Sequence, residues 1–283
     1  MTLAAPELSS AFNLKPLTPT IGAVVEGADL TSPTPALCAA LRAALLEWKV
    51  LFFYDNILTT AEHIAFGRMF GELEIHPIVP HKPGFPEATE FIHDRKDKGR
   101  ENVWHSDVTW RPEPSFGSIL RAIEIPAVGG DTLFADMYSA YEGLSPSIKA
   151  RIEGRKAMHD FGYLSLRAGK YGLRPKDMEA VNREHPPVEH PVVRTHPETG
   201  RKLLYVNAVF TRRIIGIELD ESEQLLKRLY AQAAIPEYQC RFRWRKNAIA
   251  FWDNRACQHY AASDYWPAVR RMERVSIVGE RPY

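Results

Sequence analysis

Arg241-Phe242-Arg243-Trp244-Arg245-Lys246-Asn247-Ala248-Ile249-Ala250-Phe251-Trp252 is the stretch that decides the fold class of this 283-residue chain. Arg241–Arg245 alternates charged with aromatic side chains, the pattern of a half-exposed strand. Ala248–Trp252 is short and continuously apolar, as in a buried strand. Outward from this pair, candidate strands fall at Thr89–His93, Ser118–Ile125, Thr132–Ala135, Val192–His196, Leu203–Val206 and Glu273–Val278, with a further buried run at Val50–Tyr54. Helical signals interrupt them. Pro35 suits a first helical position, and Ala36–Trp48 follows with an apolar stripe through Leu37, Leu41, Leu45 and Trp48. Thr59 and Glu62 form a capping box for a helix to about Phe70, Ser145 caps Pro146–Glu153, and Asp220 with Glu223 has capping spacing before Glu221–Ala233. Many short strands, Gly/Pro-rich turns and a few helices predict an α+β chain with a mainly β core, a jelly roll or barrel decorated by helices.

Residues 1–20, with Pro6, Pro16 and Pro19, read as a loose lead-in, and the charged segment 162–184 reads as a mobile insert over a site, all within a single domain of residues 1–283. With 45% hydrophobic and 25% charged residues the chain can bury a sizeable core. A net charge of +1 gives no electrostatic case for nucleic acid or an anionic membrane as partner. Preference for an anion must then come from local arginines. Cys38, Cys240 and Cys257 are widely spaced, which predicts unpaired thiols in a reducing compartment. No basic flank precedes an apolar run at the N-terminus and no run approaches a membrane span, so the expected location is the cytoplasm.

Trp104-His105-Ser106-Asp107 places a histidine and an aspartate two apart. On a strand these side chains leave the same face, and an imidazole with a hard oxygen suits a first-row divalent ion such as Fe(II). Such pairs also arise by chance, and a site needs a third ligand. His259, after an apolar strand in Phe251–Tyr260, is the candidate, read as sitting at a strand end over a cavity; the alternative is a satisfied core histidine. Two histidines and one carboxylate would form the facial triad that leaves three metal positions open. Arg270 and Arg274 follow 11 and 15 residues after His259. Their guanidinium forks can grip a carboxylate, or they can line a solvated strand face together with Arg271.

These residues resemble the taurine dioxygenase/TfdA group of Fe(II)/2-oxoglutarate dioxygenases. The resemblance runs from Ile21-Gly22-Ala23 to Gly279-Glu280-Arg281-Pro282. It is carried by Gly71–Pro77, Trp104–Thr109, Gly129-Gly130-Asp131-Thr132-Leu133, His190–Pro197 and Trp252–Arg255 through His259. It implies a double-stranded β-helix fold, Fe(II) held by His105, Asp107 and His259, and 2-oxoglutarate and O2 as co-substrates. Arg270 and Thr132 would hold the distal carboxylate of 2-oxoglutarate, with Asn102 alongside. His76, Val79, Val108 (through its N–H), Phe210 and Arg274 would form the substrate pocket. The expected partner is a small organic anion, taken first as a taurine-like alkyl sulfonate, and a homodimer or homotetramer is expected.

Two positions depart from taurine dioxygenase: Val79 replaces a tyrosine, giving a larger and more apolar pocket, and Glu101 replaces an asparagine, with Asn102 beside it. Alkyl sulfates, aryloxyalkanoates and other carboxylates are alternative substrates. A zinc hydrolase or a non-catalytic binder on the same fold is the more distant reading, and a hydrolase would want a further histidine and a general base.

Overall fold

The computed structural model describes residues 12–54, 56–77, 79–99, 101–162, 179–180 and 183–283. Eight strands form the larger sheet: β1 (Asn13–Pro16), β2 (Ala23–Glu26), β3 (Val50–Phe53), β4 (His81–Lys82), β5 (Phe85–His93), β6 (Gly117–Glu124), β14 (Ile249–Asp253) and β16 (Arg270–Ile277), in the order β1-β2-β3-β14-β6-β16-β5-β4. A smaller sheet holds β7 (Thr132–Asp136), β13 (Gln239–Phe242) and β15 (Cys257–Ala261) in the order β13-β7-β15. The two sheets meet through Phe52, Phe134, Phe242, Trp244, Trp252 and Met272. The Phe52 and Phe242 rings stack at 4.1 Å. This is the jelly-roll core that the strand pattern predicts.

The outer face of the larger sheet is closed by α1 (Pro35–Trp48) and α2 (Thr60–Arg68), which pack Leu37, Leu41, Leu45, Ile64 and Phe66 onto Leu51, Phe53, Ile119, Phe251 and Val275. Both helices start as their sequences dictate: the Thr34 hydroxyl accepts from Leu37 N–H ahead of Pro35, and Thr59 and Glu62 form the reciprocal capping box. A third apolar cluster joins α3 (Met137–Glu142), α4 (Pro146–Ile152) and α5 (Leu219–Tyr230) to the strands between them. Those strands are β8 (Lys156–His159), β9 (Val188–Pro191) and β12 (Thr211–Ile214), ordered β12-β8-β9, and the ribbon β10 (Val193–Thr195) with β11 (Lys202–Leu204).

Several expectations need correction. Part of the supposed lead-in is β1, because Asn13–Pro16 pairs with Ala23–Glu26; residues 1–11 lie outside the described residues, as does most of the expected 162–184 insert. Helix α5 begins at Leu219 with Glu218 at its N-cap and no side-chain cap bond, so Asp220 and Glu223 make no capping box. The strand expected at Arg241–Arg245 ends at Phe242, and the one expected from Glu273 starts at Arg270. That earlier start matters, because β16 now carries Arg270, Met272 and Arg274 on one face, into the space between the sheets. Its opposite face sends the fully buried Glu273 beneath α2, where it accepts from His63 (2.9 Å), Arg121 (2.8 Å), Lys82 (2.6 Å) and Thr60 (2.8 Å). Four partners around one carboxylate fix the strand that bears both arginines.

Candidate metal and co-substrate site

The site begins with one backbone bridge. His105 N–H donates to His259 O at 3.1 Å and His259 N–H to His105 O at 2.8 Å. His259 is the middle residue of β15, not a strand end. His105 sits in no strand beyond this bridge, and the chain turns at Asp107. The expected strand pleat therefore does not bring His105 and Asp107 together; a bridge followed by a turn does. Asn254 holds that turn: its Oδ1 accepts from Asp107 N–H at 2.6 Å, and its Nδ2 donates to Asp107 O at 3.0 Å and Ser115 O at 3.1 Å. Ser106 ties the same turn to Cys257 O at 3.0 Å.

The three side chains converge. Ligand atoms of His105, Asp107 and His259 all lie within 4.8 Å of one another. Asp107 Oδ1 is 3.8 Å from His105 Nε2 and 4.0 Å from His259 Nε2. His105 Nδ1 lies 2.7 Å from Val103 O, a pure acceptor, so Nδ1 carries the proton and Nε2 presents its lone pair to the cluster. Burial, and then the neighbouring His105, hold His259 down at about 3, and burial lowers His105 as well. Burial alone would raise Asp107, but Arg274, His259 and His105 bring its carboxyl below the usual range. Neutral imidazoles and an ionised carboxylate are the protonation states a divalent cation requires. The donor set fits Fe(II).

A cavity between the sheets is lined by His105 and His259 of this cluster and by Phe91, Leu120, Phe134 and Met272, with Thr132, Arg270 and Arg274 among its polar walls. Arg274 Nη1 donates to both Asp107 oxygens. Arg270 is buried, and burial lowers it from its usual value. Its Nε donates to Gly130 O at 3.3 Å, while its Nη2 has no partner among the described residues. Thr132 Oγ1 accepts from Trp244 Nε1–H at 2.9 Å, which leaves the threonine's own proton to give.

The remaining expected residues divide. His76 is buried, and its Nδ1 accepts from Val79 N–H at 3.0 Å, which puts the ring proton on Nε2. Burial, with Arg274 next, holds it neutral, down at about 3. Val108 takes the left-handed φ of 49°, which aims its peptide where an extended residue could not. His76, Val79, Val108 and Phe210 are all buried, and none of them lines the central cavity; Val79 lines a neighbouring hollow with His81, Phe91 and His93. Asn102 is exposed, and it is the adjacent Glu101 that faces the cavity. Asn254, Ser118, Trp244, His93 and Tyr265 bear on the site without having been singled out. Ser118 donates to Asp107 Oδ2 at 3.3 Å. Asn254 and Trp244 stood in quoted stretches, but nothing in their spacing showed that Asn254 clamps Asp107 or that Trp244 donates to Thr132.

The profile of the family described as taurine catabolism dioxygenase TauD, TfdA family, matches residues 13–276. An alkylsulfatase from Acinetobacter baylyi is 35% identical over 99% of this chain and 89% of its own. An (S)-phenoxypropionate/alpha-ketoglutarate-dioxygenase from Sphingobium herbicidovorans is 36% identical, covering 96% of this chain and 97% of its own. Among solved structures, a taurine dioxygenase from Burkholderia xenovorans superposes with a TM-score of 0.82 at 38% identity, covering 96% of this chain and 91% of its own.

Proposed function

Because this chain belongs to the taurine catabolism dioxygenase TauD, TfdA family, and is thus a 2-oxoglutarate-dependent dioxygenase, we propose that it uses Fe(II) to hydroxylate a small organic anion, a taurine-like alkyl sulfonate in the first instance. The observation that carries this reading is one cavity walled by His105 and His259, whose ligand atoms converge with that of Asp107, and by two buried arginines on the same face of β16. Bound Fe(II) supplies the oxidative chemistry: O2 and 2-oxoglutarate are converted to succinate and CO2, and one oxygen atom enters a substrate C–H bond.

The residues of the chain do the positioning. Arg270, with a guanidinium nitrogen to spare, takes the distal carboxylate of 2-oxoglutarate, and the Thr132 hydroxyl donates to the same group. On the other flank, Arg274, the Nε2–H of neutral His76 and the Val108 N–H hold the anionic end of the substrate. Phe91, Leu120 and Met272 keep water from the reacting carbon. Hydroxylation at a carbon bearing a sulfonate leaves an unstable adduct that collapses to an aldehyde and sulfite.

A second reading, oxidation of an alkyl sulfate ester to an aldehyde and sulfate, is favoured by the apolar wall, which suits an alkyl chain, and by the alkylsulfatase relative. One experiment separates the two. Succinate formation is followed with Fe(II), 2-oxoglutarate and O2 across alkyl sulfonates, alkyl sulfates and aryloxyalkanoates, with sulfite and sulfate measured in parallel. Sulfite release supports the sulfonate reading, and sulfate release the ester. Succinate without either, on an aryloxyalkanoate only, would remove both.

A further inference from the structure

Arg270 stands directly opposite His93 where β16 pairs with β5, so the two side chains leave the same face of the sheet. His93 is itself buried and is tied at both ring nitrogens: its Nδ1 lies 2.6 Å from the Tyr265 hydroxyl, and its Nε2 lies 3.3 Å from Glu101 Oε2. An ionised carboxylate can only accept, so Nε2 carries the ring proton and Nδ1 accepts from Tyr265. Having given its proton to His93, the phenol oxygen is left as an acceptor beside the guanidinium. Arg270 Cζ sits 5.9 Å from the ring centroids of both Tyr265 and Trp244, held between two aromatic rings.

The backbone around this group leaves no slack. A Cβ on Gly99 would lie 2.7 Å from the Tyr265 hydroxyl and 2.8 Å from His93 Nδ1, so only a glycine lets the chain pass over that hydrogen bond. Gly130, at φ +74°, would bring a Cβ to 3.2 Å from the Tyr265 ring and 3.3 Å from Arg270 Cδ, and its carbonyl is the acceptor for Arg270 Nε. Its own N–H donates to Asp264 Oδ1 at 2.8 Å, next to Tyr265.

We propose that Glu101, His93 and Tyr265 form a hydrogen-bonded chain that fixes the direction of the Arg270 guanidinium, so that these three are positioning residues for the distal carboxylate of the 2-oxo acid. This rests on the reading of Arg270 given above. The chain acts only on the far end of the co-substrate. A 2-oxo acid with no second carboxylate gains nothing from it, and that difference is what a merely structural role would not produce.

The test is equilibrium binding of 2-oxoglutarate and of pyruvate to the Mn(II)-loaded full chain, followed by calorimetry, with thermal melting to verify folding. Pyruvate keeps the 2-oxo acid and lacks the distal carboxylate. Tyr265→Phe and His93→Leu are expected to weaken 2-oxoglutarate about tenfold, the size of one hydrogen bond to a charged group, while pyruvate stays within about twofold. His93→Gln, whose amide can both accept from Tyr265 and donate to Glu101, is expected to recover most of the loss. Equal losses for the two ligands, or no loss in folded Tyr265→Phe, overturn the proposal. Arg270→Met distinguishes the two levels of the argument. If it separates the ligands and Tyr265→Phe does not, the chain is dismissed and the role of Arg270 stands; if Arg270→Met separates nothing, both are overturned.

Discussion

Arg274 shares its Nη1 between the two carboxylate oxygens of Asp107, 2.9 Å from each. The guanidinium proposed to hold the substrate anion thus leans on a proposed metal ligand, while its Nε is buried with no partner among the described residues. An incoming sulfonate or sulfate finds a donor already desolvated and competes with Asp107 for the rest. Binding of the anion and freeing of the carboxylate are then one rearrangement.

Arg274→Gln should therefore act on two ligands in opposite directions. Loss of the anion's charged donor should raise KM for the primary substrate on the order of tenfold, with 2-oxoglutarate affinity little changed. Removal of a like charge beside the cation site should tighten Mn(II) several-fold, which a titration of the metal-free protein reads directly. Weaker Mn(II) binding in the variant would show that Arg274 supports Asp107 more than it repels the ion.

Asn254→Ala should loosen the turn that carries Asp107. The side chain is fully buried and makes three hydrogen bonds to Asp107 and Ser115 backbone groups, so its loss leaves buried amide groups unpaired at about 1–3 kcal/mol each. Urea denaturation should show reduced stability, and Mn(II) affinity should fall with it. Asn254→Asp should fare no better, since a carboxylate oxygen would then face two carbonyls.

Thr132→Val should cost stability as well as co-substrate affinity, because it strands the buried Trp244 Nε1–H at about 1–3 kcal/mol. Adding Trp244→Phe removes the stranded donor. The double variant should melt above Thr132→Val and still bind 2-oxoglutarate weakly. Melting curves with and without the co-substrate separate the two effects.

Acid should destabilise the metal-free protein in two separate windows. Burial holds His76 down at about 3 and His190 at about 4, both below the ordinary value of 6.5. Between those limits the unfolded chain binds more protons than the folded one. Stability should therefore fall as pH drops from 6.5, by up to about 1.4 kcal/mol per unit for each histidine. Asp253 and Glu273, kept below the carboxylate range by their cationic partners against the opposing pull of burial, stabilise above the unfolded carboxylate values and lose that contribution only in stronger acid. Urea midpoints at pH 7.5, 6.0 and 5.0 test the first window, and replacing His190 with a neutral residue of similar size should lessen its slope by one histidine's share, that of His76 remaining.

The sequence made the β core legible because most of its strands bury apolar faces, as Val50–Phe53 and Ile249–Asp253 do. It hid β15 because Cys257-Gln258-His259-Tyr260 turns polar groups inward to a site, so no apolar alternation marks it. The cluster of His105, Asp107 and His259 was proposed from strand geometry and strengthened by motif resemblance, but it is a turn and not a strand pleat that assembles it, since the turn at Asp107 depends on Asn254, 147 residues away. Likewise the His93–Tyr265 pair spans 172 residues. Contacts at such separations leave no local spacing to read. That Glu101 and not Asn102 faces the cavity was hidden for a related reason: which of two adjacent residues turns inward depends on how the chain approaches the bridge at His105.

That bridge joins two points more than half the chain apart, with one proposed ligand on each side of the seam. An ion seated there would act as a staple across a very long loop, drawing its strength from the freedom it denies the unfolded chain. During synthesis the staple cannot close until β15 has emerged and docked. Iron loading would then be a late event, and a chain truncated before residue 259 would keep two of the ligands yet hold no iron tightly.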